Sequence, residues 1–178
     1  MQFRFTMTAL AAVAIIAMIA GCAGMMQPAG PLASVKLEPT RGNATAGTVT
    51  FQQQGEQVIV VAKVEGLNPG QEHGFHIHDK GDCSSGDGMS AAGHFNPGSK
   101  PHGPPDSAEH HAGDMPALKA DAQGRADIKF TLTGVSIGSG AADIVGRGLI
   151  VHAMPDDYRT QPTGNSGARI ACAVIARQ

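Results

Sequence analysis

The stretch GTVTFQQQGEQVIVVAKVEGL, residues 47–67, contains two runs in which apolar and polar residues alternate or β-branched residues predominate. A polar turn near Gln54 to Glu56 separates the two runs. Successive side chains of a β-strand point to opposite faces of a sheet, so alternation of this kind is typical of a strand with one buried face. The stretch therefore predicts a β-hairpin.

Similar short runs recur on both sides of the hairpin. Their sequences are SVKLEP (34–39), GFHIH (74–78), RADIKFTLTG (125–134), GLIVH (148–152) and ARIACAVIA (168–176). Glycine (24 residues) and proline (11 residues) punctuate the chain between them, as expected of turns. No window beyond the N-terminal segment shows a helical stripe. The pattern predicts an all-β sandwich or barrel.

Two connections are too long to be simple turns. They are residues 79–124 and residues 153–167. Structureless loops of this length are uncommon in compact domains unless they are functional. The candidates for ordering the longer connection are its histidines, together with Cys83 and Asp114.

The N-terminus has the features of an export signal. Residues 1–22, MQFRFTMTALAAVAIIAMIAGC, combine one early arginine with a short apolar run and small residues before Cys22. The tetrapeptide IAGC resembles a bacterial lipobox, which implies cleavage before Cys22 and a lipid on its sulfur. The alternatives are an uncleaved anchor helix or cleavage at another site. Ala23, where some lipoproteins have aspartate, implies release to the outer membrane.

These features divide the chain into three parts. We expect a lipoprotein signal peptide at 1–21, a lipidated tether at 22–33 and one folded domain at 34–178. The net charge of −2 comes without a basic run or interleaved aromatic residues, which argues against a nucleic-acid partner. With Cys22 lipidated, Cys83 and Cys172 can pair in an oxidising compartment.

Histidines are concentrated in the stretch HGFHIHDKGDC, residues 73–83. His76 and His78 are two residues apart on a predicted strand, so both rings point to one face and suit copper or zinc. Such a pair alone is weak evidence for a metal site. His152, at the end of another predicted strand, can bring a further imidazole back toward the pair.

The long connection offers further ligands, namely His94, His102, His110, His111 and Asp114. Three histidines and one aspartate can close a tetrahedral zinc site that has no open position, as in structural zinc sites.

Six motifs occur in the order GFHIHDKGD, AGHFNP, PHGPP, HHAGDMPAL, LIVHA and TGNSGARIACAVI. Together they resemble copper–zinc superoxide dismutases, particularly the exported bacterial ones, over most of residues 35–176. The resemblance implies a Greek-key β-sandwich or flattened barrel with two long functional loops. It also implies two cofactors, a copper ion and a zinc ion.

The resemblance implies a role for each matching residue. The copper ligands are His76, His78, His94 and His152, and the zinc ligands are His94, His102, His111 and Asp114. His94 bridges the two metals and takes part in catalysis, as does Arg169, which guides the anionic substrate. Asp156 links ligands of both metals from outside, and Cys83 pairs with Cys172.

The sequence departs from the family pattern at a few positions. Pro104 and Ala173 stand where the family has glycine. His110 lies next to His111, so the register of that zinc ligand is ambiguous, although the spacing to Asp114 favours His111. His73 matches a structural histidine of the family rather than a ligand.

The implied activity is dismutation of superoxide to molecular oxygen and hydrogen peroxide, which would protect the cell envelope. The expected place is the periplasmic side of the bacterial envelope, at the outer membrane, with the lipid on Cys22 as the membrane contact. Both monomers and homodimers occur among exported members, and no motif decides between them. The alternatives are a periplasmic copper carrier or buffer without turnover, a copper-only relative that lacks the zinc ligands, and a purely structural lipoprotein.

Overall fold

The computed structural model describes residues 30–178. The expected signal peptide, Cys22 and most of the tether therefore lie outside the described residues. Within residues 30–178, ten strands and one 3₁₀ helix, Met89–Ala91, make up the regular structure. The strands are β1 (Leu32–Pro39), β2 (Ala46–Gln54), β3 (Gln57–Glu65), β4 (Glu72–His73), β5 (Phe75–His78), β6 (Leu118–Lys119), β7 (Ala126–Thr133), β8 (Gly148–His152), β9 (Arg169–Val174) and β10 (Ala176–Arg177).

The predicted hairpin is formed by β2 and β3. The strands pair antiparallel, with Phe51 opposite Val60, and the turn lies between Gln54 and Gln57. Gly55 in this turn has a φ of 60°, a conformation that glycine adopts without a steric penalty. Phe51 and Val60 are fully buried, so the alternation in the sequence marks the face that the hairpin turns to the core.

The prediction of an all-β fold is confirmed. Eight strands form one curled antiparallel sheet in the order β5-β8-β9-β1-β2-β3-β7, with β10 beside β1. The two remaining strands, β4 and β6, pair with each other. The chain crosses between distant strands twice, from β3 to β5 and from β7 to β8, which gives a Greek-key order. Within residues 30–178 there is no helix long and apolar enough to span a bilayer.

The first strand begins two residues before the expected domain boundary at residue 34. Leu32 pairs with Gln52, and Ala33 is fully buried. The difference arises because the sequence around the boundary, with Pro31 and small residues, carries no alternation that would mark the strand start. The end of the expected tether thus belongs to the folded sheet.

The strands β5 and β8 are buried on both faces. Phe75 and Ile77 of β5 point into the main core, together with Leu149 and Val151 of β8. The histidines of these strands alternate with the core residues and therefore face the opposite side of the sheet. That side is covered by the connections 79–117 and 153–168, which we call the first and second loops.

The first loop lies along the free edge of β5. The amide of Phe95 donates to the carbonyl of Ile77 at 2.8 Å, and the amide of Ile77 donates to the carbonyl of Gly113 at 2.9 Å. Isolated bridges pair His78 with His94 and His76 with Asp114. The loop thus satisfies backbone groups that an open edge strand would expose. It is shorter than the expected 79–124, because β6 lies within that range and two residues carry no readable periodicity.

Candidate metal centre

Four imidazoles meet on the outer face of β5 and β8. Two come from β5, one from the end of β8 and one from the first loop, and their ligand atoms all lie within 4.8 Å of one another. All four residues are buried. We call this set the copper group: His76, His78, His94 and His152.

Four side chains of the first loop meet beside it. Their ligand atoms also lie within 4.8 Å of one another, and all four residues are buried. We call this set the zinc group: His94, His102, His111 and Asp114. His94 belongs to both groups, and its ring stacks on that of His76 with centroids 4.0 Å apart.

One ring nitrogen of each histidine in the copper group points toward the other three rings. Nε2 of His78 and Nε2 of His152 are 3.3 Å apart. Nδ1 of His76 and Nε2 of His94 are buried and find no hydrogen-bond partner among the described residues. Buried polar atoms without partners are rare in folded proteins and call for an explanation. Four convergent imidazoles fit a copper ion.

The zinc group is arranged in the same way around Oδ1 of Asp114. Nδ1 of His94, His102 and His111 lie 2.8, 3.0 and 3.4 Å from this oxygen. The contact of His102 lacks hydrogen-bond geometry, so its Nδ1 also has no partner among the described residues. The second oxygen of Asp114 accepts the amide of His111 at 2.8 Å, which turns Oδ1 inward. Three imidazoles and one carboxylate fit a closed zinc site.

The outer nitrogens of the rings are held by acceptors. One carboxylate, Asp156, accepts from Nε2 of His76 at 2.6 Å and from Nε2 of His102 at 2.9 Å. Nδ1 of His78 donates to the carbonyl of Ala92 at 2.9 Å, and that of His152 faces the carbonyl of Gly167 at 3.3 Å. Such bonds fix the tautomer and direct the free nitrogen of each ring into the site. Asp156 therefore supports both groups at once.

Burial and charge set the protonation of the site. Burial is the largest influence on three of the histidines and lowers the pKa of His94 to about 4 and those of His78 and His152 well below the usual value. Burial also opposes the charge of His102, but its two aspartate partners outweigh this and raise its pKa to about 9. Hydrogen bonds from histidines likewise overcome burial at Asp114 and hold the pKa of this carboxyl well below its usual range.

Arg169, the first residue of β9, is half-buried beside the copper group. Its guanidinium donates to the carbonyls of Gly88 at 2.6 Å and Ala92 at 2.5 Å, both in the first loop. Burial lowers the pKa of Arg169, but a guanidinium stays charged in proteins. Its positive charge adds to burial in lowering the pKa values of His78 and His152, which places it within electrostatic reach of both.

The disulfide between Cys83 and Cys172 is confirmed. It joins the first loop to β9, three residues after Arg169. Ala91 and Ile150 pack with the two cysteines in a small second core on this side of the sheet. Closing a loop of 89 residues stabilises the fold by about 4.6 kcal/mol in the chain-entropy model.

All predicted site residues within residues 30–178 lie in this region. His111 belongs to the zinc group and His110 does not, in agreement with the spacing to Asp114 that favours His111. His73 also lies outside both groups and contacts the carbonyl of His152 through Nδ1 at 2.8 Å. Pro104 has no positive φ, so proline is compatible with this position.

Sequence reasoning missed the backbone acceptors of the site. Ala92 serves both His78 and Arg169, and it does so with a φ of 62°, which is costly for a residue with a Cβ. A backbone carbonyl leaves no signal in the side-chain pattern, so the sequence offered no means to find it.

Comparisons with known proteins agree with the geometry. The family model described as copper/zinc superoxide dismutase matches residues 45–175. A copper-zinc superoxide dismutase of Paramecium bursaria Chlorella virus 1 is 40% identical over 135 residues, which cover 72% of this chain and 71% of that protein. A copper-zinc superoxide dismutase 2 of Brassica juncea is 44% identical over 140 residues, 74% of this chain and 90% of that protein. The crystal structure of the clock protein EA4 is similar with a TM-score of 0.74 and 36% identity, over 82% of this chain and 93% of that chain.

Proposed function

Because the chain belongs to the copper/zinc superoxide dismutase family, we infer that it dismutes superoxide to molecular oxygen and hydrogen peroxide and that it does so as a lipid-anchored protein of a bacterial envelope. The observation that carries the activity is the pair of adjoining buried groups that share His94. It makes the chain an oxidoreductase with copper and zinc as its cofactors. The envelope location rests on the N-terminal sequence.

The copper group would hold the redox metal. Copper bound by four imidazoles supplies one-electron chemistry, in which one superoxide is oxidised to oxygen and a second is reduced to hydrogen peroxide with uptake of two protons. The strands β5 and β8 hold three of these imidazoles, and their outer nitrogens are fixed by Asp156, Ala92 and Gly167. The rings thus keep their orientation through the cycle.

His94 can handle a proton within the site. Its Nδ1 faces Asp114 in the zinc group at 2.8 Å, while its buried Nε2 faces the copper group without a partner. Were the zinc group to hold a zinc ion, Nε2 would be the atom of His94 that holds a proton and gives it to the reduced product.

Arg169 provides the attraction for the substrate. The chain carries a net charge of −2, so its overall field repels an anion and the attraction must be local. The guanidinium of Arg169 is fixed by two carbonyls beside the copper ligands. It therefore directs superoxide toward the copper group without binding the metal.

A second candidate is a copper carrier or buffer on the same scaffold. Such a protein has no need of an anion guide or of an imidazole shared by two metals. This chain has Arg169 as the anion guide and His94 as the shared imidazole. Protein refolded with both metals should contain one copper and one zinc and remove superoxide in stopped-flow experiments. A protein that takes up both metals and shows no turnover would favour the carrier.

The location is tested separately. We propose that the signal peptide ends before Cys22 and that the lipid on this cysteine holds the protein on the periplasmic side of the outer membrane. The support is the apolar run that ends in IAGC, followed by alanine. Cys22→Ala should abolish lipid labelling and move the protein out of the membrane fraction, with unchanged superoxide removal by the folded domain. Unchanged labelling would contradict the lipobox, and sedimentation of the same material separates a monomer from a homodimer.

A further inference from the structure

Three residues of the second loop contact His102 of the zinc group. Asp156 accepts from its Nε2, Tyr158 lies parallel to its ring, and Gln161 binds its backbone. Asp156 also accepts from His76 and therefore supports both the copper group and the zinc group. We propose that the other two residues, Gln161 and Tyr158, are positioning residues that orient His102 for zinc, an inference that rests on the zinc assignment in the proposed function.

Gln161 binds the backbone of His102 as a neighbouring strand would. The amide of His102 donates to Oε1 of Gln161 at 2.9 Å, and Nε2 of Gln161 donates to the carbonyl of His102 at 2.9 Å. His102 lies in no strand or helix, so its peptide groups have no regular partner. This one side chain therefore satisfies both backbone groups of a buried residue, and the reciprocal bonds fix the direction of its Cα–Cβ bond.

Tyr158 supports the ring of His102 and ties the two loops together. The two rings are nearly parallel, with an interplanar angle of 9° and centroids 6.4 Å apart. The Tyr158 hydroxyl accepts the amide of Ala117 at 2.9 Å, near the end of the first loop. Its own amide donates to Oδ1 of Asp156 at 2.7 Å, the same oxygen that holds Nε2 of His102.

These contacts hold the ring of His102 in one orientation. The zinc-facing Nδ1 of this ring is buried beside Asp114 without hydrogen-bond geometry, so only outside contacts can keep it aimed at the metal. Outer contacts of this kind typically raise metal affinity about 10–100-fold, because a ligand that is already oriented loses less conformational freedom on binding. The second loop runs from His152 of the copper group to Arg169, so the clamp joins zinc binding to the segment that carries the anion guide.

Zinc affinity measured in full-length protein tests the proposal. Gln161→Met keeps the length of the side chain and removes both hydrogen bonds, while Tyr158→Leu removes the ring. The matched control is Gln123→Met, since Gln123 is exposed and its side chain makes no hydrogen bond in the described chain. Chelator competition gives the zinc and copper affinities, and the visible spectrum of cobalt bound in the zinc group reports ligand geometry.

We expect each test variant to bind zinc about tenfold more weakly and to shift the cobalt spectrum, with the copper affinity of the parent. The Gln123 control should match the parent in all three readouts. Parent-like zinc affinity and cobalt spectra in both variants would overturn the inference, as would equal losses of copper and zinc. A parent protein that takes up copper but no zinc would instead overturn the zinc assignment of the proposed function.

Discussion

Three of the four imidazoles in the copper group stand on paired strands, whereas every residue of the zinc group lies in the first loop. His76 and His78 are placed by the register of β5 on β8, which also brings Phe75 opposite Val151. In the zinc group, His94 and Asp114 form isolated bridges with β5, whereas His102 and His111 lie in no strand or bridge among the described residues. His102 is held by Asp156 and Gln161 of the second loop, and the amide of His111 is held by Asp114.

The difference teaches how the two sites are made. Hydrogen bonds and core packing of the sheet position His76, His78 and His152, since their strands are part of the buried core. The zinc ligands come from the first loop, and ordering this loop costs conformational entropy. Zinc therefore has two tasks, to complete the site and to hold the first loop in place.

The two groups are nonetheless joined at defined atoms. His94 is shared by both, Asp156 holds one ring of each, and Arg169 of β9 is fixed by carbonyls of the first loop. A change at His94 or Asp156 should therefore affect both the copper group and the zinc group. A change elsewhere should stay within its group.

The largest effect is expected for His94→Ala. Both metals lose a ligand, so both affinities should fall by more than the about 10–100-fold that is typical of outer contacts. Elemental analysis after dialysis against a chelator measures this. Gln123→Ala is the control, because Gln123 is exposed outside both groups and should leave both metals in place. Normal zinc content in His94→Ala would show that the copper group and the zinc group do not share this ring.

Removal of both metals should make the first loop more mobile while the sheet stays ordered. The amides of the first loop should exchange toward unfolded-chain rates, because the loop loses the ions that gather its ligands, whereas β2, β3 and β7 keep their protection. Hydrogen exchange with and without a chelator provides the comparison. Equal loss of protection in the β2–β3 hairpin would contradict a sheet that is independent of the metals.

Arg169→Glu should slow the reaction without emptying either group. Reversal of the charge beside the copper group should lower the second-order rate about 10–100-fold and flatten or invert its fall with salt. At 0.15 M salt, screening sets in beyond about 8 Å, so the local charge loses effect as salt rises. Stopped-flow decay of superoxide across a salt series measures both quantities.

Arg125→Glu is the control for that experiment, since it changes the net charge equally at an exposed residue. It should keep nearly the parent rate. Equal slowing in both variants would show that total charge, and not the position of Arg169, governs the approach of superoxide.

The two groups should also differ in pH dependence. In metal-free protein the pKa of His102 is raised to about 9, so zinc must displace a proton from this ring below that pH. Zinc affinity should therefore fall about tenfold for each pH unit below 9. The lowered pKa values of His78 and His152 mean that both rings are already neutral at pH 7.

Copper affinity should consequently stay nearly constant between pH 7 and pH 9. Competition titrations at several pH values, with each metal in turn, compare the two slopes. If the copper affinity depended on pH as steeply as the zinc affinity, the copper group and the zinc group would share one titrating residue.

The fold was readable where neighbouring residues alternate. The β2–β3 hairpin and strands β5, β7, β8 and β9 are close to their predicted positions, because one buried face imposes a period of two on the sequence. The start of β1 and the two-residue strands β4 and β6 were not readable. Such segments are too short to carry a period, and only the sheet beside them determines their conformation.

The sequence by itself determined the chemistry of the site, because the ligand side chains and their spacing are properties of the chain. It also determined the cysteines that pair and the alternation that makes the sheet. Only the tertiary structure decided which nitrogen of each ring faces a metal, since this depends on acceptors such as Asp156 and the carbonyl of Ala92. It alone brought Gln161 to His102 across 59 residues, because such a contact depends on how two irregular loops pack and not on any local pattern.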